Sequence, residues 1–262
     1  MASHYQDYLL HLADNALILG QRNAQWCGHG PVLEEDLALA NNSLDLIGQA
    51  RLLYQHVVTV RRDGKSSEDL LAYFRDVPDF KNYTLLELPH STALAPTAAA
   101  ERDYAVTIAR NFLYSALMVL VWDGLKSSGD AQLAAIAAKS LKETSYHLRH
   151  AHDWLLRLGD GTAESHARMQ AAVDHLLPYT QEFFAPSAME TAVIKAGLGV
   201  ATQPLQAAWQ AMVDEALAQA TLTRPAVAGH VSTGKIGVHS EHLGFVLAEM
   251  QSLARAHPEA VW

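Results

Sequence analysis

The chain has 262 residues, half of them apolar, and a formal net charge of −9. This composition excludes a disordered chain and argues against a nucleic-acid surface or an anionic membrane as the main partner. The one cysteine, Cys27, excludes an internal disulfide. The N-terminal residues lack the basic and apolar regions of a signal peptide, and no apolar run approaches the ~18 residues of a transmembrane helix. We therefore expect a cytoplasmic protein.

Apolar residues recur at intervals of three and four along every long segment, and this period predicts an all-α fold. The first helix is expected from about Tyr5 to Gln25, because Gly28 and Pro31 should end it. The second helix is expected from about Leu33 to Arg62. Its apolar stripe, which should face the core, comprises Leu37, Ala40, Leu44, Ile47 and Leu53.

Residues 63–96 contain several prolines, which interrupt helices. We therefore predict a long crossover connection here, with one short helix near Ser67–Phe74. Two long helices should follow at about Ala98–Ser127 and Ala131–Leu158, antiparallel because the turn between them is tight. Three more are expected at about Ala163–Phe184, Gln203–Leu222 and His239–Ala256. Four long helices with a crossover after the second predict a ferritin-like four-helix bundle with additional C-terminal helices. Residues 1–262 should form a single domain, with the core bundle at about 5–158 and the extra helices at about 163–256.

One short motif resembles the metal-binding helix of ferritin-like di-iron oxygenases. Those bundles need Glu-x-x-His at positions i and i+3, pointing inward. In Glu143-Thr-Ser-Tyr-His147 the i+3 position holds Tyr146, and His147 comes one residue late. One residue rotates a side chain by about 100° around a helix, because the helix turns once in about 3.6 residues. The motif therefore predicts a helix that no longer has the side-chain arrangement needed to bind iron.

Three longer blocks carry a resemblance over essentially the whole chain. They are Leu12–Asn15 with Gln21-Arg22 and Trp26–His29, then Asp36–Asn41 with Leu44–Arg51, and finally Gly234–Gly244 with Leu247–Gln251, Pro258 and Trp262. In these blocks the chain resembles the structural C subunits of the bacterial multicomponent monooxygenases that epoxidise phenylacetyl-CoA in aerobic phenylacetate degradation.

The resemblance implies a division of labour within a complex. A related, catalytic A subunit would hold the di-iron centre and the CoA thioester, and this chain would be a scaffold with no catalytic residue and no cofactor of its own. A bridging B subunit together with a reductase would complete the assembly. Alone, the chain would form a homodimer or oligomer through a helical face.

Reading the family's likely ligand positions along this chain gives a vestigial set of Asp14 (or Asn15), Asp45, Gly48, Ser115, Glu143 and Tyr146. A di-iron site needs about four carboxylates and two imidazoles. This set supplies at most three carboxylates and no imidazole. Asp45 should lie near the bundle interior, where a buried carboxylate needs a partner such as Arg22, Lys142 or Tyr146. Its role would then be structural.

Two alternative functions stay open. Glu143, His147 and His150 share one helix face, so they could bind a metal in an independent enzyme, with His239 and His242 completing a zinc site. The competing interpretation is that these side chains form ion pairs and line a partner surface. A second alternative is a bundle that holds a small molecule, with Arg61, Arg62 and Lys65 as candidate phosphate contacts.

Interaction surfaces are where we expect the function to lie. The interface candidates are Trp26, His239, Glu241, His242 and Trp262. Gly234 and Gly237 precede the last predicted helix. Because small residues allow two backbones to approach closely, this segment is expected to contact a partner chain.

Overall fold

A computed structural model describes residues 2–94, 102–226, 229 and 231–260. The chain is 73% helical, and within those ranges its β-type pairing is limited to an isolated bridge between Thr233 and Val238. The α-helices are α1 (Ala2–Ala24), α2 (Leu33–Arg61), α3 (Glu68–Tyr73), α4 (Thr84–Glu87), α5 (Tyr104–Leu125), α6 (Ala131–Gly159), α7 (Ala163–Leu176), α8 (Gln181–Phe184), α9 (Ala188–Lys195), α10 (Gln206–Gln219) and α11 (Glu241–Ala256). The predicted all-α class is confirmed and is consistent with a ferritin-like helical bundle.

The four long predicted helices correspond to α1, α2, α5 and α6. Helix α5 begins at Tyr104, later than predicted, and residues 98–101 of the predicted helix lie outside the described ranges. Asp103 and Asp130 cap α5 and α6, because each carboxylate accepts a hydrogen bond of 2.9 Å from a backbone amide in the first turn.

The predicted helix at 163–184 is wrong in its second half. Helix α7 ends at Leu176, and a tight turn containing Pro178 separates it from the short helix α8. Proline interrupts an α-helix because it lacks the amide hydrogen and clashes with the preceding turn. Helix α9 was not predicted, although a capping box marks its start: the side chain of Ser187 accepts from the amide of Glu190, and the carboxylate of Glu190 accepts from the amide of Ser187.

The chain divides into two compact units, and the first consists of residues 1–88 and 233–262. In this unit α1 and α2 are antiparallel. Near the start of α1 the hydroxyl of Tyr5 lies 3.3 Å from Nε2 of His56, whereas Gly20 near its end faces Leu46. Helix α11 packs in this unit against α1, α3 and α4. The prediction of a single domain stays a prediction.

The second unit consists of residues 89–232 and is built on α5. An 18-residue window in α5 is apolar enough to cross a membrane, but 89% of it is buried inside the protein, as in the core helix of a globular bundle. Helix α6 runs antiparallel to α5, since the rings of Tyr104 and Trp154 lie 5.5 Å apart and those of Phe112 and His152 lie 6.1 Å apart.

The predicted core-facing stripe of α2 is wrong for three of its five residues, whereas Leu53 is buried as predicted. Leu37, Leu44 and Ile47 are 56%, 67% and 38% exposed. The buried face is a different one, formed mainly by Leu39, Asn42, Ser43, Leu46, Gln49, Ala50, Leu53, Tyr54, His56 and Val57. Both faces carry apolar side chains at helical spacing, and the buried face also contains polar ones. Periodicity alone therefore could not determine which of the two faces is buried.

Candidate partner-binding surface and buried polar clusters

Asp14, the first of the predicted vestigial ligands, is completely buried in α1 and paired with a cation. Its carboxylate accepts hydrogen bonds from the hydroxyl of Tyr54 at 2.6 Å and from the backbone amide of Lys81 at 2.8 Å. Arg75 forms a two-point salt bridge with the same carboxylate through both terminal nitrogens. Asp14 therefore has a complete set of protein partners.

Burial and the charges of this cluster shift the pKa values of Tyr54 and Arg75. Burial raises the pKa of Tyr54 well above its usual value, and the negative charge of Asp14 raises it further. Burial lowers the pKa of Arg75, but the negative charge of Asp14, the interaction with Tyr54 and the hydrogen bond to Asp14 together more than offset this, and the pKa is raised. The guanidinium of Arg75 is therefore held in its charged form by Asp14.

The residues around Asp14 extend this cluster into a clamp on the crossover. We call His11, Asp14 and Asn15 the α1 clamp. Nδ1 of His11 bonds to the carbonyl of Lys81 at 2.6 Å, and the side-chain oxygen of Asn15 accepts from the amide of Tyr83 at 2.8 Å. These bonds satisfy backbone groups in a segment that has no secondary structure of its own. The sequence signal for the clamp was three polar residues within the otherwise apolar stretch of residues 8–20.

Asp45 and Gly48 do not lie in the interior. Both are half-buried on α2, and Leu44 beside them is exposed. The pair that α2 does bury at this spacing is Leu46 and Gln49, one residue further along. The expected interior position of Asp45 is therefore wrong, because α2 turns its other face to the core.

Helix α6 shows the same shift of one residue. Tyr146 is 46% exposed, and Glu143, on the same side, forms a salt bridge with Lys139 of the same helix. The buried pair at i and i+3 is Thr144 and His147. Ser115 on α5 is also buried. His147 is therefore the inward-facing residue of this motif. The carboxylate of Glu143 lies on the partly exposed side of the helix instead.

These positions do not fit a di-iron centre. A di-iron bundle takes a carboxylate and an imidazole from each of two helices. The buried pairs of α2 and α6 supply one imidazole between them and no carboxylate. Among the residues that the structure describes, no three His, Cys, Asp or Glu side chains are grouped so that they could hold a metal ion. The expectation that this chain carries no cofactor stays a prediction.

A second buried cluster surrounds Glu87, the last residue of α4. Its Oε2 accepts from Nδ2 of Asn82 at 2.9 Å and from Nδ1 of His239 at 2.8 Å, and its Oε1 accepts from the amide of Ser240 at 2.6 Å. Nε2 of His239 lies 2.9 Å from the carbonyl of Phe80. Both ring nitrogens of His239 face oxygen atoms that can accept hydrogen bonds, so the geometry fits a doubly protonated imidazole paired with Glu87. Sequence reasoning missed Glu87, since its partner is 152 positions away.

The interface candidates are mostly turned inward. Trp26 and His242 are buried, and the side chain of His239 is completely enclosed. Burial lowers the pKa of His242, and the positive charge of Arg22 lowers it further. Glu241 is exposed at the start of α11, and Trp262 lies outside the described residues. Their role at an interface stays a prediction, but three of the five side chains are occupied within their own chain.

Gly234 and Gly237 make the close backbone approach that the sequence suggested, but within the chain. A Cβ atom at Gly234 would lie 2.5 Å from the carbonyl oxygen of Asn82, and one at Gly237 would lie 2.5 Å from that of Pro78. Gly237 also has a φ of +89°, which favours glycine. The two glycines therefore let the segment before α11 lie directly on the crossover within the chain, and its contact with a partner chain stays a prediction.

Replacing Gly234 by alanine is expected to destabilise the protein by about 1–3 kcal/mol, because the new methyl group would collide with backbone atoms that cannot move aside cheaply. The measurement is the midpoint of urea unfolding. Gly244→Ala is the matched control, since nothing lies within 4 Å of a Cβ at that position in α11. Equal midpoints for the two variants would contradict the close packing.

The exposed face of α2 carries several large apolar side chains, three of which the sequence analysis assigned to the core. We call Leu33, Leu37, Leu44 and Ile47 the α2 outer stripe; Leu33 is 71% exposed and the other three are exposed as well. Their spacing of four, seven and three residues places them along one side of the helix. Monomeric soluble proteins rarely leave large apolar patches in contact with water, so a continuous stripe of this kind is typical of a partner-binding surface.

Comparison with known proteins agrees with the resemblance in the three sequence blocks. The chain matches the model of one family, described as phenylacetic acid catabolic protein, over residues 2–262. It is also similar to a protein of Escherichia coli (strain K12) that is named as the C subunit of 1,2-phenylacetyl-CoA epoxidase. The two are 43% identical over 255 residues, which cover 97% of this chain and 98% of the relative. The predicted resemblance is confirmed.

Proposed function

Because the chain belongs to the phenylacetic acid catabolic protein family, we propose that it is a non-catalytic subunit of a 1,2-phenylacetyl-CoA epoxidase, which binds and stabilises the catalytic A subunit. Its relative is named as one subunit of that enzyme, which supports a role in phenylacetate catabolism together with partner subunits. In the proposed assembly the di-iron centre lies in the A subunit, a B subunit links the parts and a reductase delivers electrons. The complex acts in the cytoplasm.

The observation that carries the non-catalytic role is the identity of the inward-facing residues. The buried pair of α6 is Thr144 and His147, and the nearby carboxylate of Glu143 forms a salt bridge with Lys139. The buried carboxylate of α1, Asp14, is occupied by Arg75 and Tyr54. Carboxylates that are already neutralised by protein cations and donors are poor candidates for metal ligands.

Metal analysis tests this role directly. The chain purified alone is expected to contain far less than one iron per chain, and iron is expected to appear when it is co-expressed with the A subunit. Stoichiometric iron or zinc bound to the isolated chain would contradict the proposal. It would favour the independent metalloenzyme, and Glu143, His147 and His150 would then be the residues to replace.

The proposed contact with the A subunit is the α2 outer stripe. Burying one leucine side chain contributes about 1.5–3 kcal/mol. The double variant Leu37→Ser and Leu44→Ser is therefore expected to weaken binding to the A subunit by about 100-fold or more. The stability of the isolated chain should change by less than about 0.5 kcal/mol, because both side chains are exposed.

The measurement is the dissociation constant of the pair, with Leu70→Ser in α3 as the matched control, since Leu70 is also exposed but lies outside the stripe. The isolated chain is proposed to form a homodimer or oligomer, so its mass is measured in parallel. A double variant that binds the A subunit normally but becomes monomeric would assign the stripe to self-association and contradict the proposed contact.

A further inference from the structure

Two surface cavities in the first unit adjoin each other at α3. The smaller cavity, of about 220 Å³, lies between α1, α2 and α3, and Ile47 of the α2 outer stripe borders it. The larger cavity, of about 730 Å³, lies between α3 and the C-terminal part of α11 with the residues that follow it. Asp69 and Tyr73 border both cavities. The two cavities therefore form one groove, the α3 groove, which continues the α2 outer stripe across α3.

Both ends of the α3 groove have apolar walls. Leu17, Ile47 and Ala50 border the smaller cavity, and Met250 and Leu253 border the larger one. Leu253 is 57% exposed, so more than half of its side chain is accessible to a partner. Grooves that receive a helix typically take up its apolar side chains, which recur every one or two helical turns. The α3 groove has a place for one such side chain at each end.

An unmatched negative charge lies between the two apolar ends. Arg51 and Glu68, which border the smaller cavity, neutralise each other in a salt bridge of 2.9 Å. Asp69 is exposed and forms no ion pair and no hydrogen bond with any residue that the structure describes. Burial raises the pKa of Tyr73, and the negative charge of Asp69 raises it further, so this charge acts on the middle of the groove.

The other charged groups close to the groove do not cancel Asp69. Arg255 of α11 reaches the backbone carbonyl of Tyr73, but its charge is matched by Asp76 at 2.9 Å. His257 borders the larger cavity and would oppose a cation only in its protonated form. A partner that covers the groove must therefore supply a cation to Asp69, because a carboxylate buried without a partner is costly.

We propose that the α3 groove receives a helix of the A subunit that carries a lysine or arginine between two apolar residues. The inference rests on the proposed function, because it takes the A subunit as the partner. The cation pairs with the carboxylate of Asp69, and its methylene stem lies against the ring of Tyr73. The two flanking apolar side chains fill the two cavities, so that the contact begun at the α2 outer stripe extends to α11.

The first test concerns the charge. The dissociation constant between the full chain and the purified A subunit is measured at low and at high salt. Asp69→Asn is expected to weaken binding by about 5- to 10-fold and to make it less sensitive to salt, because one ion pair is lost. Arg51→Gln is expected to strengthen binding by about 2-fold, since it leaves Glu68 unpaired beside the same cation. Glu164→Gln, on the surface of α7, is the matched control and should leave binding unchanged.

The second test concerns the apolar walls. Leu253→Ser is expected to weaken binding of the A subunit by about 5-fold, because a leucine that is already partly buried contributes only part of its full burial energy. Leu70→Ser is the matched control. Leu70 is also exposed and belongs to α3, but it borders neither cavity of the groove.

The outcomes separate the groove from the proposed function. If the double variant of Leu37 and Leu44 binds the A subunit weakly while Asp69→Asn and Leu253→Ser bind normally, the groove is overturned and the proposed function stands. Weaker binding of Asp69→Asn with unchanged salt dependence would overturn the ion pair. A loss of self-association in Asp69→Asn with normal binding of the A subunit would assign the groove to a second copy of the chain and overturn the proposal. A wild-type chain that fails to bind the A subunit would overturn both.

Discussion

Replacing Glu87 by alanine is expected to lower the free energy of unfolding by about 3–5 kcal/mol, the range found when one partner of a buried ion pair is removed. The change would leave the enclosed imidazole of His239 without its carboxylate partner. It would also leave the amide of Ser240 and the side-chain amide of Asn82 without their acceptor. The side chains of Glu87 and His239 are completely buried, so hydration cannot replace the lost bonds.

The measurement is urea unfolding of Glu87→Ala, Glu87→Gln and His239→Ala, together with the double alanine variant. Glu87→Gln keeps the shape and part of the hydrogen bonding, so it should cost less than Glu87→Ala. The double variant should cost much less than the sum of the single changes, because neither charge is left behind. Glu249→Ala is the matched control, since this glutamate accepts its hydrogen bond from Gln25 at the surface.

The position of the Glu87 cluster indicates which part of the chain should lose stability when Glu87 is replaced. It joins the segment before α11 to the crossover, and it lies within the first unit. Amide hydrogen exchange in α11 should therefore accelerate in Glu87→Ala more than in helices of the second unit. A loss of stability below about 0.5 kcal/mol, which is typical of surface substitutions, or uniform exchange throughout the chain would contradict this assignment.

Replacing Asp14 by alanine is expected to cost a similar amount, about 3–5 kcal/mol. The guanidinium of Arg75 would remain buried without its opposing carboxylate, and the hydroxyl of Tyr54 and the amide of Lys81 would lose their acceptor. Asp14→Asn should cost less, because an amide oxygen can still accept part of these bonds. Thermal unfolding monitored by circular dichroism measures both variants.

Glu143→Ala is the matched control for Asp14→Ala. Glu143 was assigned to the same vestigial ligand set, but its carboxylate pairs with Lys139, four residues away on a partly exposed helix face. Pairs of this kind contribute about 0.3–0.5 kcal/mol. An equally large loss of stability in Glu143→Ala would contradict the assignment of Glu143 to a partly exposed pair with Lys139.

The sequence by itself determined the all-α class, the positions of the long helices and the family. These conclusions depend on local information. An apolar period of three to four residues, the glycines and prolines that end helices, and the long strings of polar and apolar residues are all readable within a few turns. The boundaries of α1, α2 and α6 consequently agree with the predictions to within a few residues, whereas the proline after α7 was given too little weight.

Only the tertiary structure decided which face of each helix is buried. Helix α2 has two apolar faces, and the choice between them depends on contacts with α1, which no local pattern records. For that reason Asp45 and Tyr146 were placed one residue out of register, and His147 was assigned to the wrong side of its helix. The roles of Asp14 and Glu87 were likewise hidden, because their partners Arg75 and His239 lie 61 and 152 positions away. Burial and charge pairing are properties of distant segments brought together, and periodicity within one helix cannot determine them.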